Sequence, residues 1–76
     1  MVVYVLATST EEGLIPPKVF DTKEKAQKEL ERIYNDCVKE QCYPIEFCEI
    51  DKKRNYFTIQ YKDNHLYGYV FQVEVE

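Results

Sequence analysis

Seventy-six residues that include seven Tyr and four Phe hold enough apolar material for one small core, which excludes intrinsic disorder and a multidomain chain. A formal net charge of −4 argues against nonspecific nucleic-acid binding, which needs a positive footprint on the phosphate backbone. No stretch approaches the roughly 20 apolar residues of a membrane span, and no basic start with a long hydrophobic run follows Met1; a cytoplasmic protein away from the membrane is expected.

The first strand is expected from Val2 to Thr8, where β-branched residues favour extended backbone and both faces are apolar. Two-sided apolarity places it inside a sheet rather than at an edge. Ser9 to Lys18 reads as a loop, because Glu11-Glu12-Gly13 supplies a polar turn and Pro16-Pro17 blocks helix. Lys18 to Phe20 leaves room for a short strand.

Asp21-Thr22-Lys23-Glu24 fits a capping box, with Asp21 as the cap and Glu24 reaching back to it. From Thr22 to Gln41, Ala26, Leu30, Ile33, Tyr34, Cys37, Val38 and Gln41 recur at three- and four-residue spacing, one apolar stripe along a helix. Charges four apart, such as Arg32 and Asp36, read as its solvated side. Pro44 ends any continuation.

Ile45 to Asp51 is expected as a strand, Asp51-Lys52-Lys53-Arg54-Asn55 as a turn, and Tyr56 to Lys62 as a clearly alternating strand. Asp63-Asn64 turns the chain into a last strand from His65 to Val75. Short loops favour an antiparallel meander for these three. The predicted fold is α+β: β-α-β-β-β, a four-stranded, mainly antiparallel sheet with one amphipathic helix on one face, as a single domain over 1–76.

One helix covers one face. The helix side is expected to hold Val3, Val5, Phe57, Ile59, Phe71 and Val73, and the other side Val2, Tyr4, Leu6, Cys48, Ile50, Tyr56, Leu66 and Val70. Three covers for that second face stay open: the Ser9–Lys18 loop, a second copy in a homodimer, or a protein partner. Tyrosine combines a large apolar ring with a polar tip, so Tyr4, Tyr56, Tyr67 and Tyr69 are the candidate contact residues. Lys52, Lys53 and Arg54 form the one cationic cluster, a candidate contact for phosphate or an acidic surface and equally a solvated turn.

Candidate chemistry is thin. Cys37, Cys42 and Cys48 are odd in number, which argues for free thiols in a reducing compartment. With His65 they could make a zinc set, but the spacing lacks the close cysteine pairs such sites use. A Cys–His nucleophile has no evident orienting group. Glu46 with Glu49, or Asp51 with Asp63, read as solubilising carboxylates at edges and turns. No catalytic residue, cofactor or metal is therefore expected.

Val19-Phe20-Asp21-Thr22-Lys23-Glu24-Lys25-Ala26, feeding a charged helix, resembles a pattern in small proteins of bacterial phages and mobile elements. Gly68-Tyr69-Val70-Phe71-Gln72-Val73-Glu74-Val75 is similar to their terminal strand. The resemblance covers under half of the chain. It implies a stoichiometric inhibitor of a bacterial defence system, acting by steric occlusion as anti-CRISPR proteins do, in the host cytoplasm. A sponge that sequesters a nucleotide signal between protomers and an accessory protein of a mobile element are the alternatives.

Overall fold

The computed structural model describes residues 1–10, 13–40 and 44–76. The expected Glu11-Glu12 turn, the helix end at Gln41 and Cys42 lie outside the described residues. The elements run β1 (Val2–Thr10), β2 (Gly13–Phe20), α1 (Lys23–Glu40), β3 (Ile45–Asp51), β4 (Tyr56–Tyr61) and β5 (His65–Glu74). They form one antiparallel sheet in the order β2-β1-β5-β4-β3, with α1 packed on a single face.

The α+β class and the single helix agree with the sequence reading, but the sheet has five strands rather than four. The fifth is β2, drawn from the segment expected to be a loop. It sits at an edge, where only one side of the strand needs ladder donors, so proline is tolerated. Its register slips between the Leu6–Lys18 and Thr8–Ile15 pairs, so Pro16 and Pro17 fall in a bulge opposite Ala7. Because this segment extends the sheet sideways, it does not fold across the uncovered face. β1 lies between β2 and β5, inside the sheet as its two-sided apolarity required.

α1 connects the two edge strands and touches all five. Eighteen helical residues span about 27 Å, close to the roughly 24 Å width of five strands. Thr22, not Asp21, caps its start: the Thr22 Oγ1 accepts the Lys25 N–H at 3.3 Å. Asp21 instead pairs with Lys25 Nζ at 2.9 Å. Glu29 joins the helix to the edge strand by pairing with Lys18 of β2, and is also held by Arg32.

Ala26 and Leu30 press on Leu6, Phe57, Ile59 and Val70, the buried core. Gly68 makes this closeness possible. A Cβ there would meet the Phe57 ring at 2.6 Å, so only glycine lets that ring lie against β5. The Tyr34 ring packs 5.8 Å from that of Phe57. Its hydroxyl is pushed up to about 12, first by its hydrogen bond with Cys48 and then by burial.

Candidate functional site on the open sheet face

Cross-strand register sorts the side chains. Phe57 pairs with Gly68, Ile59 with Leu66, and Leu6 with Val70, so all six share the helix side. The opposite parity carries Val3, Val5, Tyr56, Tyr67, Tyr69, Phe71 and Val73. The expected assignment was therefore inverted for β1 and β5 and for Cys48 and Ile50 of β3, which stand opposite Ile59 and Phe57 on the helix side, and correct for Phe57, Ile59 and Tyr56. Both parities of β1 and β5 are apolar, and alternation alone cannot say which one meets the helix.

Tyr4 is corrected with them. It lies on the helix side and packs against the core, apart from the other candidate tyrosines. Tyr56, Tyr67 and Tyr69 do come together, and Phe71 joins them. Centroids are 6.1 Å apart for Tyr56–Tyr67, 5.6 Å for Tyr67–Tyr69 and 5.5 Å for Tyr69–Phe71. Two of these contacts are offset stacks and one is tilted, the arrangements that aromatic quadrupoles prefer. The ladder forms because Tyr67, Tyr69 and Phe71 alternate along β5, while Tyr56 stands opposite Tyr69 on β4 and reaches diagonally to Tyr67.

These rings remain accessible. Tyr69 and Phe71 are each 39% exposed, and Val19 of β2 and Phe47 of β3 extend the apolar surface toward both edges. Among the described residues, register places only two charges on this face, Glu49 and Asp51 of β3, with Glu46 in a bulge beside them. Burial raises the Tyr56 hydroxyl above its ordinary value, and the nearby Glu49 and Asp51 carboxylates add to the shift. The hydroxyl therefore stays a neutral donor at physiological pH. Chemically, the surface offers stacking area and phenolic donors.

Phe71, Val3, Val5 and Val73 were missed as surface residues. One signal could have found them: a glycine between Tyr67 and Tyr69 marks close approach on its own face, so its neighbours must point away.

The basic cluster lies elsewhere, in the turn between β3 and β4. The Asp51 carboxylate accepts the backbone N–H groups of Lys53 and Arg54, each at 3.0 Å. Asn55 takes a left-handed conformation at φ 57° and accepts a hydrogen bond from Gln27 Nε2 at 2.6 Å. Lys52 Nζ pairs with Glu31 of α1 at 2.8 Å, and Arg54 Nε lies 3.9 Å from Asp51. The turn is thus tied to the helix layer rather than to the ladder.

A cleft of about 480 Å³ opens near the opposite end of the sheet, lined by Thr10, Pro44, Tyr61, Lys62, His65 and Leu66 among others. Cys37 belongs to the inner helix stripe, where burial pushes its thiol up, and Cys48 faces Tyr34. Among the described residues, no group of three or more His, Cys, Asp or Glu is placed to hold a metal ion, and no helix is long and apolar enough to cross a membrane.

No curated protein and no solved structure matches this chain. A family model does match, over residues 1–59, which takes in β1, β2, α1, β3 and the first part of β4; β5 and three rings of the ladder lie beyond it. The chain belongs to that family, described as Domain of unknown function (DUF7336).

Proposed function

We propose that this member of the DUF7336 family is a non-catalytic binding protein that works through the open face of its sheet. The observation that supports this reading is the ladder of Tyr56, Tyr67, Tyr69 and Phe71, stacked and accessible on the side without a helix. Contiguous exposed aromatics are enriched at protein contact sites. Rings already held by their neighbours lose little rotamer entropy on contact, which favours them as anchors.

Within that class, the narrower reading is a stoichiometric inhibitor of a bacterial defence system that acts by occlusion. It rests on the resemblance of residues 19–26 and 68–75 to small phage and mobile-element proteins. The nucleotide-sponge alternative would draw on Lys52, Lys53 and Arg54. Lys52 is engaged by Glu31 and Arg54 lies near Asp51, so no observation favours it over the face.

The test is phage plating on strains carrying defined defence systems, with wild-type protein compared against Tyr67→Asp and Tyr69→Asp. Restored plating by wild type that either variant loses is the expected result. No restoration in any strain would remove the inhibitor reading. Restoration indifferent to both variants would remove the face.

A further inference from the structure

We propose that the open face is covered by a second copy of this chain, related by a two-fold axis that runs along β5. This rests on the reading of that face as a contact surface and names its occupant in the free protein, which a target bound through the same rings would displace. Area supports it first. Five strands spaced about 4.8 Å, each about eight residues long at about 3.3 Å per residue, present a plane of about 600 Å². With the planes fully overlapped, two copies would bury about 1,200 Å² together, the lower edge of specific protein interfaces; side-chain relief adds to this and sheet twist at the corners subtracts from it.

Charge supports a copy over a basic partner. The chain carries 24 acidic and basic side chains, yet only Glu49 and Asp51 are placed on this face by register among the described residues, with Glu46 in the adjoining bulge. A face built for a basic surface would concentrate the acidic excess. This one is nearly neutral across β1, β5 and β4, so it can meet its own copy without like-charge repulsion at the centre.

The same two carboxylates select the axis. A two-fold axis across the strands sets β3 against its own copy, bringing Glu49 and Asp51 toward the same groups. An axis along β5, the middle strand, sets β3 against the partner's β2. There the acidic edge meets the apolar edge that carries Val19, with both at the solvated rim. β5 then lies over its own copy, which puts Tyr67, Tyr69 and Phe71 in the dry centre of an isologous interface. Sheet twist rotates the two layers by about 30° and carries their corners apart.

The experiment is the solution mass of the full chain by light scattering across a dilution series, with circular dichroism confirming that each variant is folded. Wild type should appear at twice the 9.1 kDa chain mass and dissociate on dilution. Tyr69→Asp should raise the dissociation constant by about tenfold or more. Val19→Glu is the second variant, at an edge residue that is 62% exposed and outside the core. Register sets Val19 level with Phe71 and so, along the β5 axis, beside the partner's Lys53–Arg54 turn; the new carboxylate should tighten association by about threefold at low salt and less at high salt.

A monomeric wild type overturns the inference. A dimer untouched by a folded Tyr69→Asp variant overturns the face, and a dimer weakened by Val19→Glu overturns the axis. A monomer whose effect on phage plating still depends on Tyr69 would overturn the dimer and leave the proposed function standing.

Discussion

The two faces of the sheet take neighbouring residues of one strand in opposite directions. On the helix side, Gly68 and Val70 of β5 are sealed beneath Phe57 and Leu30; on the open side, Tyr69 and Phe71 each keep 39% of their surface in contact with solvent. The difference lies in fit as much as in hydrophobicity, since the exposed residues are the larger. A helix can approach only where small and compact side chains leave space. Gly68, Ala26 and the flat ring of Phe57 supply that space, and a row of four aromatics cannot.

The strongest way to break this contrast is Phe57→Ala. Phe57 is fully buried, so truncation should cost about 3–5 kcal/mol in urea unfolding, through lost burial and the cavity left under α1. Gly68→Ala attacks the same contact from the other side, because its Cβ would strike the Phe57 ring. A loss of about 1–3 kcal/mol is expected, and a neutral result would mean that the ring yields and the helix side is less tightly specified than the open side.

A smaller effect tests the clip that holds the helix over its face. The Glu29 carboxyl is held down to about 2, first by its hydrogen bond from Arg32 and then by that from Lys18, against an ordinary value of 4.5. A depressed folded-state value means that the stabilisation is present above pH 4.5 and is lost as pH falls from there toward about 2. Its partners are half exposed, so we expect about 1 kcal/mol at neutral pH rather than the full shift. Glu29→Gln should lower the melting temperature at pH 7 and flatten this acid limb; an unchanged acid limb would remove Glu29 from the account.

The smallest expected effect is Tyr69→Ser on the isolated protomer, within about 0.5 kcal/mol at concentrations below association. The same substitution should weaken self-association clearly. A large loss of protomer stability would instead make the ladder part of the core's support and erase the contrast between the faces.

Much of the candidate site was legible. Tyr56, Tyr67 and Tyr69 could be named because aromatic alternation on strands is a local pattern. Tyr4 and Phe71 could not be assigned correctly, because each belongs to a strand that is apolar on both parities. Their faces depend on which residues of β4 and β5 stand opposite one another, a pairing made by the closed sheet and not by either strand alone. β2 was hidden for a related reason. Prolines withhold ladder donors, which argues against strand until the tertiary position shows an edge and a bulge where those donors are not needed.

By itself, then, the chain determined one amphipathic helix from Thr22 onward, its stripe from Ala26 to Val38, and the β3-β4-β5 meander. These follow from backbone propensity, side-chain period and turn chemistry, which act over a few residues. Only the tertiary structure decided the fifth strand, the cap at Thr22 rather than Asp21, and which apolar face the helix would take. That last choice is steric: the Phe57 ring lies against Gly68, 11 positions along the chain and opposite it in the sheet, and every other residue of β1 and β5 follows from that contact.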